Sequence, residues 1–398
     1  MRRTRLAAIL LVAPLAVTAC GGSASTTSAA ASKAGNQAGT KAGTASATPG
    51  ATGTLPNSPA PTVDIYSHDR QLSPAVAGQK SLIYVPNHGD GTVTVIDPST
   101  YRVIDTYKTG GGPQHIVPSW DLQTLYATND EGGNSLTPID PRTGKRGGPN
   151  IPVADPYNMY FTPDGSSAIV VAEAQQRLDF RDPHTFKLQY SIPVQCPGVD
   201  HIDFSADLKT FVATCEFSGQ LVKVDLASRK VVGYLKVPGQ PQDIKLDSAG
   251  KVYYVAGEYA GGVDLVNADT FTLIGFLPTG PEAHGLYVSR DSRFMYVSNR
   301  GGTKADPTGT NGSVSVIDLA TRKVVANWPI PDGTPDMGNV SVDGKVLWLS
   351  GRRSNEVYAI DTTTGHLIKR IPVGREPHGM AVWPQPGRFS LGHTGIMR

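Results

Sequence analysis

The chain has 398 residues, 39% of them hydrophobic and 18% charged, with a formal net charge of +2. This near-balance, without any basic run, argues against a polyanion such as nucleic acid as the main partner. Three cysteines are too few for a disulfide-dense scaffold, and Cys-x-x-Cys-His is absent, which excludes covalent c-type haem.

At the start, Arg2, Arg3 and Arg5 precede an apolar run from Leu6 to Ala19. That length suits the core of a secretory signal and falls short of the ~20 residues a membrane-spanning helix needs. Val17-Thr18-Ala19-Cys20 resembles a bacterial lipobox. The resemblance implies removal of residues 1–19, lipidation of Cys20, and a chain anchored by lipid on the extracytoplasmic face of the cell membrane. Residues 20–62 are almost wholly Ala, Gly, Ser, Thr and Pro, with no aromatic side chain. Such a stretch cannot bury enough apolar surface to offset its ordering entropy, so a disordered linker is expected there. Residues 63–80 form a lead-in segment.

From residue 81 a unit repeats. A short β-rich run ends in Asp or Asn, and Ser or Thr follows three residues later. The marker falls at Asp97, Asp140, Asp182, Asp225, Asn267, Asp318 and Asp361, at intervals of 42 or 43 residues with one of 51. A proline marks a second position in every unit: Pro113, Pro156, Pro197, Pro241, Pro281, Pro335 and Pro377. Both series stretch at the same place, where Arg300 to Gly312 is a Gly/Thr/Pro-rich insertion. Seven copies of this length predict an all-β, seven-bladed propeller of four-stranded blades. In the second copy the innermost strand starts over 115–118, the second covers 125–128, the third includes 136–139, and the outer strand leads to Val153.

The first copy begins at Leu82-Ile83-Tyr84-Val85, already a second strand. Pro377-His378-Gly379-Met380-Ala381-Val382-Trp383 reads as an innermost strand without a blade. Joining the two closes the ring and removes the free sheet edges. The propeller is therefore expected over 81–383, with a C-terminal tail over 384–398.

Tyr84-Val85-Pro86-Asn87, Tyr126-Ala127-Thr128-Asn129 and Tyr296-Val297-Ser298-Asn299 resemble the signature of YVTN-repeat propellers. Val93-Thr94-Val95-Ile96-Asp97 and Val314-Ser315-Val316-Ile317-Asp318 resemble its next strand, and the tail after Trp383 resembles that of actinobacterial lipoproteins of this group. The resemblance implies a seven-bladed ring related to quinoprotein-like and haem-bearing propellers, but no single reaction.

Loops before the first strand and after the second should meet at one mouth of the central channel. The first set carries His115, Asn158, His201, Asp243, His284, Asp336 and His378. The second carries His88, Asp130, Glu173, Glu216, Glu258, Arg300 and Arg352. One arc is acidic and the other basic, which predicts a top face that binds a charged small ligand, protein or cell-wall component as a non-catalytic module. Arg300 and Arg352 would hold a carboxylate or phosphate. The alternative is a divalent-metal site at Glu173, His201, Glu216, Asp243 and Glu258, serving a lactonase-like hydrolase or redox enzyme. A nucleic-acid-binding propeller is the third reading, which the charge balance disfavours. The bland reading of the four histidines is that they pin the blades together by bonding backbone groups. A monomer is expected.

Cys196 and Cys215 are an even pair flanking the fourth unit's inner hairpin. With Phe204 opposite Phe211, Asp200 falls near Cys215 and Cys196 lies a few residues further on. A disulfide is the expected reading in an oxidising compartment, and a thiolate site with His201 and Glu216 is the alternative.

Overall fold

A computed structural model describes residues 54–66, 71–302, 306 and 308–398. The expected signal peptide, Cys20, and the linker up to residue 53 lie outside the described residues. Seven antiparallel sheets follow one another around a ring, each built outward from the central channel. The first blade is Ala381–Trp383, Leu82–Asn87, Thr92–Asp97 and Arg102–Lys108, so the C-terminal strand completes it. Leu82 pairs with Trp383 and Ile83 with Val382. In the second blade the outer strand is broken into Lys145–Arg146 and Ile151–Pro152, both paired to Ser135–Asp140.

Burial falls from the inside outward. Leu82–Asn87 is buried at every residue, while Arg102–Lys108 is mostly exposed. The core lies between blades: Tyr84, Val93 and Val95 of the first pack on Ile116, Leu125 and Ala127 of the second. Each such side chain contributes about 1.5–3 kcal/mol on burial.

The repeated residues have identifiable tasks. All seven Asx markers stand at the turn between third and fourth strands, where the side-chain oxygen accepts backbone N–H groups two or three residues on. That Asx cap explains why the marker never lapses. In the signature, Asn129 donates from Nδ2 to Ser135 at 3.1 Å and Thr137 at 2.9 Å. Asn87 and Asn299 make the same pair of bonds in their blades. The residue before the Asn supplies a hydroxyl to the innermost strand: Thr128 accepts from the His115 N–H at 3.1 Å, Thr214 from His201 at 3.0 Å.

Two expectations need correction. The linker was expected to stay loose to residue 62, but Ser58 is buried and bonds Asp318, and Leu55 packs on the core between the sixth and seventh blades. Residue 200 was expected near Cys215, whereas Val199 pairs with it, because the strand bulges between Val199 and Ile202.

Lead-in and tail share one face, formed by the turns between first and second strands. The Ile65 N–H bonds the Ser248 carbonyl, and the Ser390 N–H bonds the Trp120 carbonyl. The tail then adds Ser390–Gly392 and Ile396–Met397 to the third blade and passes under the channel.

Candidate functional site

The innermost strands carry the site, and a shared irregularity sets its geometry. Five of them bulge within the three residues after the pairing position, which is Pro113, Val199, Pro241, Ala283 or Pro335. A bulge breaks the alternation of faces, so two consecutive residues serve the channel. An upper tier results: Gln114, Tyr157, Asp200, Gln242, His284, Asp336 and His378. Beneath it lies a lower tier of His115, Asn158, His201, Asp243, Gly285, Met337 and Gly379. Sequence spacing merges these tiers, because Pro197 and Pro281 precede the pairing position by two residues. His284, Asp336 and His378 are therefore one level above His115, Asn158, His201 and Asp243.

The upper tier centres on Asp336, fully buried. Its Oδ1 accepts from Arg300 at 2.9 Å (Nε) and 2.7 Å (Nη2), and its Oδ2 lies 2.7 Å from Nδ1 of His378. Arg300 Nη2 also donates to Nε2 of His284 at 2.9 Å, and Nη1 stands 3.6 Å from both Glu258 and Glu282. Burial is the largest single influence and opposes ionisation, but Arg300, His284 and Arg352 together hold the Asp336 carboxyl below its ordinary range. His284, Asp336 and His378 have ligand atoms within 4.8 Å of one another, but this guanidinium already holds that ground. Arg300 is thus engaged by protein groups at the edge of the mouth.

At the rim, Arg353 grips Glu282 through two bonds of 2.8 and 2.6 Å. His88 lies between Glu376 at 2.9 Å and Glu131 at 3.4 Å. Arg352 differs. Its Nη1 donates to the Glu376 carbonyl at 3.3 Å, and no carboxylate among the described residues pairs with it within 4 Å. Burial lowers its pKa. On the acidic side, burial first and then Asp200 and Glu216 push Glu173 up to about 9. Burial and Asp200 push Glu216 up to about 7. Asp130 rises to about 7 through burial and Asp155, and Glu258 to about 7 through burial. Of this wall Glu173 is raised furthest, and Glu216, Asp130 and Glu258 titrate around neutral pH. Arg352, Glu258 and Tyr259 line one open depression, and Asp130, Asp155 and Glu173 another.

The five residues expected to bind a metal do not converge. Among the described residues, His201 alone of that set belongs to a group of three ligand-type side chains. Asp243 accepts the N–H of Ile244 at 2.9 Å and, across the blade boundary, that of Leu286 at 2.9 Å. Asp203 and Tyr160 stitch their neighbours in the same way, so Asp243 is a blade-to-blade staple. Sequence reasoning missed Asp200, Glu282, Arg353 and His393. Asp200 and Arg353 sit beside residues it singled out, His201 and Arg352, and the bulge concealed the direction of Asp200.

Cys196 and Cys215 form a disulfide, with Cα atoms 5.0 Å apart. Both sulfurs are thereby committed, which removes the thiolate alternative. Cys215 stands at the position of Asn129, and the facing third-strand residues are Gln220 and Val222, where the second blade has hydroxyls. The covalent bond replaces an Asn clamp that this blade cannot make.

The sequence pattern of the YNCE-like β-propeller family matches residues 60–386. The chain belongs to that family. A seven-bladed β-propeller protein of Mycobacterium tuberculosis, Rv1057, is 26% identical over 162 residues, which are 40% of this YNCE-like chain. The match spans only 39% of that relative's length. Among solved structures, Kuenenia stuttgartiensis hydrazine synthase superposes with a TM-score of 0.58 at 19% identity, over 68% of this chain and 89% of that one. A Bacteroides uniformis protein provisionally assigned as a 6-phosphogluconolactonase gives 0.61 at 17% identity, over 76% and 99%. At these identities the likeness is one of fold.

Proposed function

We propose that this YNCE-like propeller is a lipid-anchored, extracytoplasmic binding module that takes a small ligand into its mouth, an anionic group toward Arg352. One observation carries the reading: Arg352 is the mouth arginine that no described carboxylate pairs, whereas Arg300 and Arg353 are both engaged. Across from it, the raised carboxyls of Glu173 and Glu216 offer O–H donors, or become anions for an amine. A zwitterion or a hydroxy acid matches both sides. Binding of amino acids, dicarboxylates and sugar phosphates, followed by calorimetry, tests this. A true ligand loses roughly 10- to 100-fold in affinity on Arg352→Ala, the value of a charge-assisted hydrogen bond, and nothing on Arg142→Ala. Equal binding by both variants overturns the reading. The anchor is tested separately: Cys20→Ala should release the protein from the membrane fraction.

A further inference from the structure

Below the upper tier the channel is closed by the tail. His393 rises from it between two lower-tier histidines, with ring centroids 4.5 Å from His201 and 4.9 Å from His115. All three side chains are fully buried. Each offers a ring nitrogen, and the three nitrogens lie within 4.8 Å of one another. Both nitrogens of His115, Nε2 of His201 and Nε2 of His393 lack hydrogen-bond partners. Imidazoles shut away from water with unsatisfied nitrogens are unfavourable, since each orphaned group loses the hydrogen bonds it made to water. Three converging on one point make that loss hard to explain as packing.

We propose that His115, His201 and His393 bind one divalent first-row transition ion, Zn2+ in the first instance, and that this ion fastens the C-terminal tail into the channel. The ligand set suits such an ion, because neutral imidazole is its preferred donor and three histidines leave a fourth position open. The surroundings suit a charge of +2. Asp200 lies 2.6 Å from Nδ1 of His201, and Asp243 lies 3.8 Å from Nε2 of His393. Two carboxyl groups outside the ligand shell stand where they can balance the dication, Asp200 beside the His201 ring and Asp243 beside that of His393. The amide nitrogen of Asn158 stands 3.0 Å from Nδ1 of His393. Ligation through Nε2 puts the ring proton on Nδ1, so loading requires that amide to turn its oxygen toward the ring.

The experiment uses the full chain, purified in detergent without chelator, with Co2+ as the spectroscopic probe and Zn2+ as competitor. One equivalent of Co2+ should give the visible bands of a four-coordinate centre, and Zn2+ should abolish them. Asp200→Asn should weaken Co2+ by about 10- to 100-fold, the usual effect of losing an outer-shell partner. His393→Gln should weaken it further, while the exposed His184→Gln binds as the parent does. Tryptic cleavage after the exposed Arg388 supplies a readout on the unmodified chain: Zn2+ should slow release of the tail at least tenfold. Absence of the bands in folded protein, bands that survive His393→Gln, or cleavage indifferent to Zn2+ each overturn the proposal.

Discussion

Asp336, shut away from solvent, and Arg300, at the edge of the mouth, hold each other by two hydrogen bonds of 2.9 and 2.7 Å. The other carboxylate oxygen is taken by His378, so the pair ties the sixth, seventh and first blades at the channel. Removing one partner leaves a buried charge without compensation. Asp336→Ala should therefore cost about 3–5 kcal/mol, read as a lower urea midpoint with an unchanged slope.

The raised pKa of Glu173 has a consequence in the opposite direction. Below the ordinary Glu range, about 4.3, folded and unfolded chains both hold the proton. Above it the unfolded chain releases the proton while the folded one keeps it to about 9. Stability is lost across that window as pH rises. Glu173→Gln removes the linkage, so its urea midpoint should fall less than the parent's between pH 5 and pH 9. Parallel curves would refute this account.

The Cys196–Cys215 bridge closes a loop with a sequence separation of 19. Constraint of the unfolded chain makes a loop of this size worth about 3 kcal/mol. Replacing both cysteines by Ser should reduce unfolding free energy by that amount, and thiol titration of the unreduced, denatured parent should find neither sulfur free. Cys196→Gly with Cys215→Asn should not recover the loss, because Gln220 and Val222 do not supply the hydroxyls that Asn129 uses.

The Asn clamp itself can be measured in the second blade. Asn129→Ala takes its donor from the buried Thr137 hydroxyl and leaves Ser135 with the Asn150 amide alone, at 3.2 Å. The expected loss is about 1–3 kcal/mol by equilibrium unfolding, with the ring retained by circular dichroism.

The ring was legible because its punctuation is local. An Asx cap acts over two or three residues, so Asp97 and its six counterparts kept their spacing whatever the strands between them did. Closure by 381–383 was legible for the same reason, since a second strand at Leu82 demanded a first one. The interior was harder to read. A bulge shifts register by one residue without a sequence mark, so His284 and His201 read as one ring when they occupy two levels. Pairing hides as well: nothing local to Arg300 announces Asp336, 36 residues away. His393 lies beyond the last repeat, where periodicity has no purchase.

The tail's passage beneath the ring turns what a propeller usually offers as a tunnel into a vessel with a single opening. On the binding reading proposed above, a ligand held at Arg352 would find no second exit below, so its residence time should follow the grip at the mouth.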